Sequence, residues 1–229
     1  MTQRSKTTQN IKKLVALAVF AALAYAVHFI HIPVSFLNLD FKDVVMTVAG
    51  MYFGPISGIA VAVIVPLLEF PTSETGVYGL IMNLLSSVTF VGIASLIYRF
   101  KRTLSGAVIG LSAAALSMTA VMMVANLYVT PYYMGVPRTM VVDLIPKLLL
   151  PFNAIKSILN AALTLCLYKP MTSILKKNGF GKTKTTENSE KSAENTKLRS
   201  ILVWIIGGSI AVAALAVIFF VLGGHIKFG

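Results

Sequence analysis

A single cysteine, Cys166, stands in 229 residues. That excludes an internal disulfide and a thiolate metal cluster, and leaves Cys166 to pack as a small apolar side chain. Charge is equally scarce. Only 12% of residues are Asp, Glu, Lys or Arg, and eight of these are acidic, where soluble domains carry about 25% charged residues. No Walker phosphate loop is present, so any ATP use must come from a partner. No histidine or acidic cluster with metal-ligand spacing replaces the missing cysteines. What fills the chain is hydrophobic, 56% of it.

The apolar residues gather into runs, and a spanning helix needs about 20 of them. The runs cover 11–32, 42–54, 56–71, 77–98, 104–127, 146–170 and 200–223, the second being short. Between them lie 33–40, the Gly54-Pro55 turn, "EFPTSETG" at 69–76, "RFKR" at 99–102 and the aromatic, proline-rich "YVTPYYMGVPR" at 128–138, all with turn chemistry or charge. Residues 177–199 are a Lys, Thr, Glu, Ser and Asn linker that cannot build a core. The expected fold is an all-α integral membrane protein. A six-transmembrane-helix bundle occupies 1–176, a cytoplasmic polar linker 177–199, and an extra C-terminal transmembrane helix 200–229. The basic leader and Ala24-Tyr25-Ala26 imitate a signal peptide, but the run over 14–32 exceeds a usual h-region, so it reads as a retained first helix.

The net charge of +12 would suit nucleic acid, but its placement argues against that. Arg4, Lys6, Lys12 and Lys13, then Arg99, Lys101 and Arg102, then Lys176 to Arg199 sit at the ends of apolar runs. With the N-terminus cytoplasmic, nearly all loop Lys and Arg fall inside. The outer segments 33–41, 70–76 and 128–145 hold Asp40, Glu74, Arg138 and Asp143, and the C-terminus falls outside.

Polar residues inside greasy runs are the candidates for function. In "PFNAIKSILN", residues 151–160, Asn153, Lys156 and Asn160 follow i, i+3, i+7 spacing and share a helix face. A lysine at a helix centre costs about 2.5–3.5 kcal/mol on insertion scales, so it is a functional candidate, with snorkelling as the bland alternative. Asn126 ends the fifth run, either facing the same outer layer or capping the helix. Of Asp40 and Asp43 in "FLNLDFKDVV", one is expected to cap the second helix and the other to accept hydrogen bonds. Gly76 and Gly79 permit close backbone approach to a flat ligand, and Tyr128, Tyr132 and Tyr133 form an outer aromatic row. Ala18, Ala22 and Ala26 form a small-residue row that lets helices approach within lipid. A serine protease reading of "GPISG" fails because Pro55 stands two before Ser57.

"FLNLDFKDVV", "YFGPISGIAVAVIVPLLEF", "NLYVTPYYMGVP" and "LLLPFNAIKSILNAALTLCLYKPM" occur in that order. Over residues 10–175 the chain resembles the riboflavin-specific substrate-binding (S) components of energy-coupling factor (ECF) vitamin transporters, "PFNAIKS" being the most specific piece. The resemblance implies a multi-pass cell-membrane protein that is not an enzyme and carries riboflavin as transported ligand, not as a cofactor. It implies a six-helix bundle whose first outer loop covers the pocket, and partners in a transmembrane coupling subunit and two ATP-binding subunits. Family ligand contacts map onto Asp40, Gly79, Asn126, Asn153 and Lys156, and the family's AxxxA coupling motif onto Ala18, Ala22 and Ala26. The tail from 177 onward departs from the family pattern. The alternatives are an S component for a different vitamin, or a structural membrane protein with no transport role.

Overall fold

The structure, a computed structural model, describes residues 3–73, 75–177, 205, 207–217 and 227–228. Residues 178–199 of the expected linker, Glu74 and both ends of the seventh apolar run lie outside the described residues. The elements run α1 Gln3–His28, β1 Ile30–Val34, β2 Leu37–Asp40, α2 Lys42–Phe53, α3 Pro55–Glu69 and α4 Gly76–Phe100. Then come α5 Leu104–Met134, α6 Arg138–Leu144, a π turn Ile145–Leu149 and α7 Leu150–Lys177. Beyond them lie a further helix, α8, Gly207–Val217 and the strand β3 Lys227–Phe228.

Among the described residues, five stretches are long and apolar enough to cross a membrane: Thr7–His28, Pro55–Thr72, Gly76–Phe100, Leu104–Met134 and Arg138–Tyr168. The sixth helix of the bundle, α2, has 12 residues, about 18 Å of helix, too short to span alone. Every residue from Lys42 to Met51 is buried, so α2 is surrounded by its neighbours. Phe20, Ala24, Met46, Ala49, Ala62, Val65 and Val91 form one core where α1, α2, α3 and α4 meet. Phe90, Ala94, Leu111, Ala114 and Met118 form another between α4 and α5.

Three boundaries differ from the sequence expectation, each for a physical reason. The first helix stops at His28 and not at 32, because Ile30 to Asp40 form a hairpin. Its register pairs His31 with Asp40 and Val34 with Leu37, with Ser35 in the turn at φ 56°. Ile32 and Val34 are buried while His31 and Pro33 between them are only partly so, the alternation of a strand, so a small sheet accompanies the helical bundle. The fifth helix passes through Pro131 and ends at Gly135, whose φ of 65° is the left-handed geometry of a helix stop. "YVTPYYM" is therefore helix and not loop. Within a bundle, proline is tolerated because neighbouring groups re-satisfy the freed backbone. The start of the sixth run contains Pro146 and Pro151, which have no amide hydrogen for an α ladder, and the chain enters α7 through the π turn.

The described residues of the tail pack against the bundle. Ala211 and Ala214 of α8 pack with Phe152, Leu159 and Ala162 of α7, and a Cβ on Gly207 would lie 2.8 Å from Cys166 Sγ. β3 pairs with the outer edge of β1, Ile30 opposite Phe228 and His31 opposite Lys227, making a three-stranded sheet ordered β2-β1-β3. The described part of the extra helix therefore lies against α7.

Candidate functional site

The hairpin covers one end of the bundle, and beneath it lies a cavity of about 640 Å³ walled by the hairpin, α1, α3, α4, α5 and α7. That volume suits a drug-sized ligand. Phe29, Phe36, Phe70, Tyr78, Tyr133 and Phe152 give it aromatic surface. Seven buried side-chain atoms lack a hydrogen-bond partner among the described residues. Five of them, on His28, His31, Asp40, Glu69 and Ser86, belong to residues lining this cavity. Buried polar groups are almost always paired, so their gathering at one cavity marks it as a site for a polar ligand.

The five ligand-binding positions expected from sequence, Asp40, Gly79, Asn126, Asn153 and Lys156, all line it. Lys156 is 7% exposed. Its Nζ donates to Asp40 Oδ2 at 3.1 Å, so it is paired inside the fold and does not snorkel. Asn153 Nδ2 donates to the Leu149 carbonyl at 2.8 Å, which sets the rotamer and leaves a second amide hydrogen. Asn126 lies within α5 and caps nothing. Its Nδ2 donates to the Met122 carbonyl at 2.7 Å and its Oδ1 accepts from Thr130 Oγ1 at 2.9 Å, which leaves one amide hydrogen and one lone pair. At Gly79 a Cβ would collide with Thr75 Oγ1 at 1.7 Å, so glycine leaves room for the Thr75 side chain to fold over the start of α4, and both residues line the cavity.

Asp40 and Asp43 have different surroundings. Neither caps α2, whose N-cap position is Phe41 with no side-chain bond. Asp43 lies away from the cavity lining, accepting from Ser87 Oγ at 2.6 Å and Asn160 Nδ2 at 3.4 Å. Asn160 is thus spent on Asp43 and does not continue the cavity row of Asn153 and Lys156. Asp40 ends β2 and sits between two ammoniums, Lys156 at 3.1 Å and Lys42 at 3.8 Å. Burial would raise its carboxyl, but the neighbouring Lys156 and Lys42 charges bring it down to about 2. Of the three tyrosines, only Tyr133 lines the cavity, packing near Phe36 at 6.5 Å between ring centroids. Tyr128 lies under the Arg138 guanidinium and Tyr132 is exposed.

Sequence reasoning missed the other half of the charge network. Lys42 is wholly buried, and its Nζ donates to Glu69 Oε2. Asn83 Nδ2 donates to the same oxygen at 2.8 Å, and His28 Nδ1 lies 3.4 Å from Glu69 Oε1. The alternating series Lys156, Asp40, Lys42, Glu69 joins α7 to the base of the hairpin and the end of α3. Such pairs do little for net stability after desolvation, but they fix where each charge stands. The available signal was opposite charge at the ends of neighbouring runs, Lys42 in "DFKD" and Glu69 in "PLLEF". Both look like ordinary loop charges.

Ala18, Ala22 and Ala26 are exposed on α1, while Ala21 and Ala24 face the core. The row is an outward face of the bundle.

A sequence model of the family "ECF transporter, substrate-specific component" matches residues 12–168. The Staphylococcus aureus (strain TCH60) protein "Riboflavin transporter RibU" is 31% identical over 186 residues, covering 76% of this chain and 98% of that protein. The Bacillus subtilis (strain 168) protein "Riboflavin transporter FmnP" is 25% identical over 163 residues, 65% of this chain and 86% of that protein. A solved structure described as "Structure and mechanism of the S component of a bacterial ECF transporter" superimposes with a TM-score of 0.64. It is 32% identical, covering 73% of this chain and 99% of that one.

Proposed function

This chain belongs to the family of ECF transporter substrate-specific components, and from that premise we propose that it captures riboflavin at the outer face of the cell membrane. It delivers the vitamin inward with a transmembrane coupling subunit and two ATP-binding subunits, its own N-terminus lying in the cytoplasm. The observation that carries the reading is the cavity beneath the hairpin, where aromatic walls meet Lys156, Asn153 and Asn126. Riboflavin is neutral, with a flat ring system and a ribityl chain of hydroxyls. Aromatic surface takes the ring, and a few convergent polar groups orient the rest. Lys156 and the second amide hydrogens of Asn153 and Asn126 suit ribityl hydroxyls, which accept as well as donate. The exposed row of Ala18, Ala22 and Ala26 gives a partner helix a close approach in lipid, where packing and not the hydrophobic effect drives association.

Titration of the purified chain with riboflavin, read by quenching of flavin fluorescence, tests this. Saturation at one riboflavin per chain is the expected result. Tight binding of thiamine or biotin with none of riboflavin would move the chain to another vitamin. No binding of any of the three would favour a structural role.

A further inference from the structure

Glu69 closes α3, is 3% exposed, and lines the cavity on a wall formed by the ends of α1, α3 and α4. Its two carboxylate oxygens are treated differently. Oε2 receives both Lys42 and Asn83. Oε1 is buried and has no hydrogen-bond partner among the described residues, its neighbour being His28 Nδ1 at 3.4 Å. With Oε2 taken by two donors, Oε1 is the oxygen left to accept. A buried acceptor without a donor is costly, and the cavity that Glu69 lines is where a donor can arrive.

Resting on the riboflavin reading above, we propose that Glu69 is a further specificity-determining residue, whose Oε1 accepts the imide N–H of the bound flavin ring. The chemistry of the wall selects that group. A neutral oxidised flavin ring has one N–H donor, its imide, with a carbonyl acceptor on each side. The wall offers the complementary pattern. Glu69 Oε1 is the acceptor, and the second amide hydrogen of Asn83 and the imidazole of His28 stand beside it as donors. A hydrogen bond to a carboxylate is stronger than one between neutral groups. The ribityl hydroxyls are served separately, by Lys156, Asn153 and Asn126 on α5 and α7. Lys42 is a positioning residue here. It touches Glu69 and Asp40, is absent from the cavity lining, and holds the carboxylate in place.

The test compares riboflavin with 3-methylriboflavin, which lacks the imide hydrogen, on the full-length wild-type chain and on Glu69→Gln, by fluorescence titration in detergent. A glutamine must turn its carbonyl to Lys42, so it points an N–H at the imide N–H. The wild type is expected to bind the methyl analogue at least about 30-fold more weakly than riboflavin. In Glu69→Gln riboflavin itself should weaken about tenfold and the methyl penalty should shrink below about threefold. Should Glu69→Gln fold poorly by gel filtration, Glu69→Asp keeps the charge for Lys42 but withdraws the acceptor, and the same narrowing is expected there. Equal affinity of the wild type for both flavins, or the same methyl penalty in wild type and variant, would overturn the role of Glu69 alone. Failure of the wild type to bind riboflavin would overturn the transport reading and this assignment with it.

Discussion

Replacing Lys156 by methionine removes the ammonium and keeps most of the apolar stem. In the structure Nζ lies 3.1 Å from Asp40 Oδ2, and both side chains are buried. Two costs follow, and they separate. Breaking a buried ion pair by deleting one member costs about 3–5 kcal/mol when the other charge is left alone. Asp40 keeps Lys42 at 3.8 Å, so the loss of stability falls toward or below the low end, about 2–3 kcal/mol. The binding cost is independent of that rescue. A hydrogen bond from a charged donor is worth about 1.5–3 kcal/mol, which is a rise in Kd of roughly 10- to 150-fold. Adding Asp40→Asn to Lys156→Met removes the under-compensated carboxylate. The double variant should recover melting temperature in detergent but not affinity. Riboflavin titration and thermal unfolding of the wild type, Lys156→Met and the double variant measure both quantities. A folded Lys156→Met chain with Kd within about twofold of the wild type would show that the ammonium serves Asp40 alone and that the ribityl assignment is wrong.

Ala22→Trp places a bulky ring on the exposed face of α1, holding a partner helix away and forfeiting dispersion contacts along the seam. Riboflavin affinity should stay within about threefold, while uptake by cells and co-purification with the coupling subunit are lost. Lost binding with intact assembly would instead make the row internal packing. Ending the chain after Lys177 removes α8 from α7 and β3 from the edge of β1, and neither element lines the cavity. Affinity should hold within about threefold, but riboflavin exchange in stopped flow should quicken, because the hairpin loses a paired strand. Loss of binding would place α8 in the essential core.

Membrane insertion is a property of one segment at a time, and so is its signature in the sequence. The length and apolarity of each run located the spanning segments to within a few residues at most ends, and the 3.6-residue period put Asn153 and Lys156 on one face. Loop charge alone suggested which side of the bilayer each loop occupies. Where local signals competed, the sequence misled. Pro131 reads as a breaker, but its helix continues to Met134, as proline can within a packed bundle. The alternation in Ile30, Ile32 and Val34 is short enough to be absorbed into the end of the apolar run before it. What only the tertiary structure decided is pairing. Whether Asp40 or Asp43 faces the cavity depends on Lys156, 116 residues from Asp40, and on Ser87, 44 residues from Asp43. Lys42 and Glu69 are 27 residues apart and look like unrelated loop charges until α2 and α3 fold against each other. A charge declares its presence along the chain, but its partner is set by distance in space. In a low-dielectric interior that distance decides whether the charge is a liability, a brace or a binding group.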